Sequence, residues 1–343
     1  MELFILFVYS DTHTTHNREM LSSFESTHAT GNKSRTGRHT TTNKAIVAIA
    51  MASTIVCIWA ASFIFIKLAL QEIPPMTLAL TRFAIATPIL IAITSYQQSS
   101  RSAMKLALRK DFWSFSLLGL IGVTFLYVLQ FYSLRFISAT EGSIIINLHA
   151  IFAMLLSAAF LSEPLTPQKT LGVFVAFSGI IVITIKNTAG TIVNLIEPVG
   201  VLLMIAAALC WASYSVYGKK VLQRYSNQVT TSCAFLLGTI YLIPFAASEG
   251  SIGALASSSS LTWFSVIFLA IPSSVVTYVL WNRLIREFDV TKVLVSLYVI
   301  PIPTAILAYI ILGETITYSV VLGAALIIAG VYLTESSRSN RPA

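Results

Sequence analysis

Apolar runs of nearly 20 residues, each almost free of charge, follow one another from Lys44 to Thr334 and leave the chain few ways to fold. A segment crossing lipid meets no water, so its backbone groups must be satisfied within a helix or a closed barrel. A barrel strand needs only about 10 residues of alternating character, whereas these runs are longer and do not alternate. Composition leads the same way: 56% of residues are hydrophobic, 10% are charged and the mean hydropathy is +0.80. An ordinary soluble domain carries about 25% charged residues. The chain therefore reads as an all-α membrane protein, and a soluble core of this size is excluded.

Turn signals divide the stretch into ten predicted transmembrane helices, over 45–70, 76–95, 113–134, 140–162, 169–186, 198–218, 229–247, 262–284, 291–312 and 317–334. Breaks fall at Pro74-Pro75, the basic stretch from Arg101 to Asp111, Glu163-Pro164 and the serine run ending at Ser260. Residues 1–43 are polar and rich in Thr, Ser and His, which predicts a disordered cytoplasmic tail, and residues 335–343 read as a cytoplasmic C-terminal tail. The apolar opening from Leu3 to Val8 is too short for a signal-peptide core and has no basic region before it. About 18 of the Lys and Arg residues fall in the tail, alternate loops and C-terminus, and about 2, Arg135 and Lys186, on the other side. That bias predicts a multi-pass cell-membrane protein with both termini cytoplasmic. The formal charge of +8 is dispersed in this way and forms no nucleic-acid patch. Cys57, Cys210 and Cys233 all lie inside apolar runs, with neither a disulfide framework nor metal-ligand spacing.

An internal repeat organises these helices. Trp59-Ala60-Ala61 precedes Lys67 by eight residues, and Trp211-Ala212-Ser213 precedes Lys219 by eight, at an offset of 152. Leu161-Ser162-Glu163-Pro164-Leu165-Thr166 matches Leu312-Gly313-Glu314-Thr315-Ile316-Thr317 at an offset of 151, and Leu171-Gly172 with Gly179 matches Leu322-Gly323 with Gly330 at the same offset. Residues 44–187 and 197–334 thus form two predicted five-helix repeats. Five is odd, so the second must enter the bilayer from the opposite face and the repeat is inverted, the arrangement that underlies alternating access.

The stretch Trp59-Ala60-Ala61-Ser62-Phe63, Lys67, Ile73-Pro74-Pro75 and Leu78 to Arg82-Phe83 resembles the opening of an EamA-type domain of the drug/metabolite transporter superfamily. The Leu-x-Glu-x-Leu/Ile-Thr turns at Glu163 and Glu314, each followed by Leu-Gly-x6-Gly, resemble the end of the same domain. The resemblance covers residues 45–334. It implies a ten-helix exporter or permease for small metabolites, amino acids or drugs, with no ATPase domain of its own. The halves have diverged: Pro301 stands thirteen residues before Glu314 as the family pattern has it, where the first half has Ala150, and Arg82 has Ala234 as its repeat partner.

A charged side chain at the bilayer centre costs at least about 2.5 kcal/mol, which singles out Lys67 and Arg82. Each either attracts an anionic group of a substrate, Arg82 by a bidentate geometry and Lys67 as a point charge, or snorkels and pairs locally. His149, close to Asn147 and Glu141, is a candidate proton relay or a satisfied interior histidine, and Glu141 a candidate helix cap. Thr124, Tyr127 and Gln130 share one helix stripe, and Tyr278, Trp281 and Asn282 another; these stripes line a cavity or belong to interfacial belts. Trp59 with Ser62, Trp211 with Tyr214, and Asn147 with Tyr298 occupy equivalent places in the halves, where a midplane site would be assembled or large aromatics would simply pack. Glu163 and Glu314 read as structural turn residues and Pro301 as a helix break, while the repeat glycines allow close helix approach.

The leading function is a secondary transporter working by alternating access. A membrane-embedded enzyme would need a catalytic constellation, and a receptor or sensor a ligand-binding soluble domain or long effector loop; the sequence displays neither. No catalytic residue, metal site or cofactor is expected. The expected partners are the lipid bilayer and a small-molecule substrate, with a second copy of the chain as the candidate protein partner and no nucleic acid.

Overall fold

The structure is a computed structural model and describes residues 36–96, 98–161, 166–184, 196–250, 252–287 and 297–339. Every regular element among them is helical. In chain order they are α1 (Thr36–Ala69), α2 (Pro75–Ser95), α3 (Gln98–Lys110), α4 (Phe112–Ser133), α5 (Ala139–Phe160), α6 (Pro167–Thr184), α7 (Ile196–Leu222), α8 (Asn227–Ser248) and α9 (Ile252–Ala256). Then come α10, built of Ser260–Ala270, Ile271–Val276 and Thr277–Glu287, α11 (Pro301–Leu312) and α12 (Tyr318–Ser339).

Seven stretches among the described residues are long and apolar enough to cross a membrane: Ile46–Ala69, α2, α4, α5, Pro198–Leu222, α8 and Ser260–Trp281. At 1.5 Å per residue their 21 to 25 residues span roughly 32 to 38 Å, enough for a hydrocarbon core. Three shorter apolar helices, Pro167–Ile183, Pro301–Leu312 and Tyr318–Leu333, accompany them. The chain is a multi-pass membrane protein.

Local chemistry explains where the helices start and stop. Ser138 and Glu141 form a capping box at the start of α5, and Ser226 and Ser259 cap α8 and α10 by accepting from backbone N–H groups three residues on. Pro75 stands at the start of α2, where a missing N–H costs nothing, and Gly313 ends α11 with φ +66, a turn that favours glycine. Both α4 and α10 contain a π-helical turn, at Leu120–Phe125 and Ile271–Val276. A hydroxyl answers each: Thr124 donates to the Gly119 carbonyl at 3.4 Å and Ser274 to the Leu269 carbonyl at 2.9 Å, both five residues back.

The helices α6 and α12 lie against each other, as do α2 and α8, flanking a centre made of α1, α4, α5, α7, α10 and α11. Glycine sets the first pairing, because a Cβ on Gly179 would sit 2.7 Å from the Gly323 carbonyl oxygen and one on Gly330 2.6 Å from the Ala176 nitrogen. Hydroxyls tie the second: Thr87 bonds Thr239 and Thr94 bonds Ser232, each at 2.8 Å. Phe83, Phe131, Ile64 and Leu78 pack in the main core.

Four particulars differ from the sequence reading. Helix α1 begins at Thr36, inside the predicted tail, because adding turns to an existing helix costs little; residues 1–35 lie outside the described residues. The basic stretch predicted as a break is α3, with Ala107 buried and Arg101, Lys105, Arg109 and Lys110 exposed. Pro301 does not break a longer described helix but opens α11, at the position proline suits best. The last helix runs on to Ser339.

Candidate functional site

A cavity of about 270 Å³ opens among α1, α4, α5, α7, α10 and the residues leading into α11. Twelve of the sequence candidates line it: Trp59, Ser62, Arg82, Tyr127, Gln130, Asn147, His149, Trp211, Tyr214, Tyr278, Trp281 and Tyr298. Its centre is an aromatic cluster around Trp59, whose ring lies 6.2 Å from Trp211, 6.4 Å from Tyr278 and 5.9 Å from Trp281, measured between centroids. The Trp59 indole N–H is held by the Thr277 hydroxyl at 3.1 Å and the Ser273 carbonyl at 3.3 Å, so the ring is fixed by α10.

His149 stacks on Trp211, with centroids 4.1 Å apart and planes 12° from parallel. Its Nδ1 is 3.1 Å from the Ile146 carbonyl oxygen; a carbonyl only accepts, so Nδ1 carries the hydrogen and Nε2 is left as the acceptor of the neutral ring.

Arg82 stands in α2 with 3% of its surface exposed. Its Nε donates to the Ser274 hydroxyl at 2.9 Å and one terminal nitrogen to the Ser273 hydroxyl at 3.3 Å. The guanidinium carbon lies 4.6 Å from the Tyr127 ring centre, with Phe83 and Phe131 further off at 5.4 and 6.0 Å. Among the described residues no carboxylate pairs with it; an ion pair of Arg224 with Asp111 at 3.3 Å belongs to loops at a bundle end. The π turn of α10 is what presents both serines to Arg82.

Lys67 is not in the cavity wall. Its ammonium donates at 3.0 Å to the carbonyls of Leu134 and Ile137, beyond the last turn of α4. Glu314 lies at the same end and accepts from the Ala139 and Thr140 N–H groups at 2.7 and 3.2 Å and from the Thr140 hydroxyl at 3.0 Å. Glu249 treats α2 alike, accepting from the N–H groups of Met76 and Thr77 at 3.1 and 2.8 Å and from the Tyr132 hydroxyl at 2.9 Å. Pro74 gives α2 no side-chain cap of its own, so a carboxylate from far along the chain fills the place. Glu72 completes the set by accepting from the Ser259 N–H at 2.7 Å, chiefly a backbone bond that holds its carboxyl below the usual range. These bonds hold the helix ends together here, while at the other end of the bundle the cavity wall reaches exposed Lys219 near the end of α7.

The Asn282 side chain and the whole of Glu163 lie outside the described residues. Sequence reasoning passed over Ser273 and Ser274, which hold Arg82, and Ser157, a buried hydroxyl in the wall with no hydrogen-bond partner. It also passed over Gly122, against whose missing Cβ the Tyr214 ring packs. Single serines and glycines are too common in membrane helices to signal anything alone.

A model of the EamA-like transporter family matches residues 46–185 and again residues 198–336. The chain belongs to the EamA-like transporter family. A relative from Archaeoglobus fulgidus, named an uncharacterized transporter, is 37% identical over 82% of this chain and 94% of its own length. A probable amino-acid metabolite efflux pump of Salmonella typhimurium is 26% identical over 82% of this chain and 93% of its own. A probable terminal-alkyne amino-acid exporter of Streptantibioticus cattleyicolor is 28% identical, covering 87% and 96%. A solved crystal structure at 19% identity covers 86% of this chain and 99% of its own with a TM-score of 0.54, and shares the fold. This EamA-like chain is a small-molecule transporter.

Proposed function

We propose that the chain carries a small organic solute across the cell membrane by alternating access, its two family-matched segments acting as inverted five-helix halves with both termini in the cytoplasm. The observation behind this reading is the cavity, whose wall draws on both segments and at whose centre repeat-equivalent residues meet. Trp59 and Trp211, 152 positions apart, meet edge to face, and Thr87 and Thr239, equally spaced, share a hydrogen bond. The π turns of α4 and α10 stand 151 positions apart. Equivalent residues touch one another only near an axis that exchanges the halves, and such an axis in the membrane plane allows one fold to open to either face.

In this state the carboxylate ties close the end predicted to face outward, and the mouth near Lys219 faces the cytoplasm. The relatives' names make solutes of amino-acid size the first to test. The reading is of a carrier rather than an enzyme or receptor, and of ten membrane crossings.

Single cysteines at Ser99, Ser226 and Ser258 on a cysteine-free background, treated with an impermeant maleimide on intact cells, test it. Labelling at Ser258 alone is the expected result. Labelling at Ser99 or Ser226 would overturn the orientation and the inverted repeat with it.

A further inference from the structure

The cavity is charged on one side only. Arg82 and Lys219 line it beside the neutral His149 ring, and no Asp or Glu among the described residues does. An arginine is always protonated, and one removed from water needs a compensating anion as well as hydrogen bonds. Arg82 is buried to 97%, and its partners are two serine hydroxyls and aromatic faces, all without charge. Nε and one terminal nitrogen are committed to the serines, which leaves the other terminal nitrogen of the fork without a protein partner. The wall continues from Arg82 through Tyr127 and Tyr278 to the Trp59 and Trp211 faces. Lys219, exposed at the mouth, adds a positive potential along the way in.

We propose that this cavity selects small organic monoanions: a carboxylate completes the coordination of Arg82, and a flat, unsaturated body rests on the Trp59, Trp211 and Tyr278 rings. The inference rests on the transport reading of the same cavity and narrows its substrate class. A cationic solute would meet Arg82 with nothing to offset the repulsion, and a neutral one would leave the guanidinium without its counter-ion.

The test is equilibrium binding to the full chain in detergent with four probes on one frame: 3-phenylpropanoate, its amide, phenylalanine and 3-phenylpropylamine. The anion should bind saturably, with the amide and the amine at least ten-fold weaker and phenylalanine between. Arg82→Lys should weaken the anion several-fold by losing the planar fork, and Arg82→Gln should bring anion and amide to equal affinity. Ser274→Ala, which keeps the charge and loosens its aim, should weaken the anion alone. Amide or amine binding as tightly as the anion, phenylalanine binding tighter than it, or no saturable binding by any probe would overturn the assignment. Because the wild-type ranking decides, a variant that fails to fold does not remove the test. If Trp211→Ala abolishes binding of all probes and the wild type shows no charge order, the cavity is the site and the anion assignment is wrong. If Trp211→Ala leaves anion affinity unchanged, the cavity reading itself falls.

Discussion

Trp59 illustrates how a single side chain can join the halves: its N–H is bound by α10, its faces meet Trp211, Tyr278 and Trp281, and its own hydroxyl neighbour Ser62 turns back to the Trp59 carbonyl at 2.6 Å. Truncating Trp211 removes both the Trp59 edge and the His149 stack, so Trp211→Ala should lower transport of a cavity substrate at least ten-fold in a vesicle uptake assay, with membrane insertion unchanged. Gly122 offers a sharper test of packing, because any Cβ there collides with the Tyr214 ring. Gly122→Ala alone should reduce uptake by forcing Tyr214 into the cavity, and adding Tyr214→Ala should recover part of the loss; a double variant worse than either single would show that the two positions do not share that space. At this scale the sequence exposed the rare residues and concealed the common ones. Arg82 and the tryptophans stood out because charge and indole in an apolar helix demand a reason, whereas Ser273, Ser274 and Ser157 look like ordinary small residues of membrane helices until Arg82 is seen beside them.

The helices are held at their closed end by carboxylates that cap helices remote in sequence. Glu314→Gln keeps the shape and loses the charge that favours a helix N-terminus, so the purified chain should lose about 1 kcal/mol of stability, read as a lower thermal midpoint beside wild type. Gly313 aims that side chain, and with φ +66 its replacement by alanine should give a similar loss. Glu72 carries the pH dependence at this end. Its carboxyl titrates below the ordinary value when bonded to Ser259, so the bond contributes above the unfolded value of about 4.3 and is lost as pH falls through the folded one. The midpoint difference between wild type and Glu72→Gln should therefore be constant from pH 7 to 5 and shrink towards pH 3; a difference that grows on acidification would contradict the assignment. Long apolar helices were legible from hydrophobicity, and the Pro74-Pro75 break marked the start of α2 at Pro75, whereas the serine caps Ser138 and Ser226 were found only in the structure. Helix α3 was not, because its buried stripe is only Ala107 with half-buried Ala103, Met104 and Leu108 inside a basic run, and burial against α8 makes it a helix. Nor could hydrophobicity alone show which helix N-terminus each loop carboxylate would cap, since that depends on which helix ends share a face of the bundle.

For the molecule as a whole, the central claim is that one cavity between two inverted halves is presented to the two membrane faces in turn. The exact residue matches at 151 and 152 positions were readable in the sequence, and the equivalents Trp59 and Trp211, like Thr87 and Thr239, lie in contact. The asymmetry between the ends was not readable, since Lys67 and Lys219 are sequence equivalents yet one is bonded to the Leu134 and Ile137 carbonyls and the other stands exposed at the cavity mouth. The most direct measurement places one cysteine at Ser62, in the cavity wall, on a background lacking Cys57, Cys210 and Cys233, and applies an impermeant thiol reagent to either face of oriented vesicles. A carrier predicts labelling from each face, with a short bifunctional crosslink between added cysteines at Thr140 and Glu314 abolishing reaction from the outer face alone. Reaction from the outer face that persists after crosslinking, or access from the cytoplasmic face lost together with it, would contradict the account.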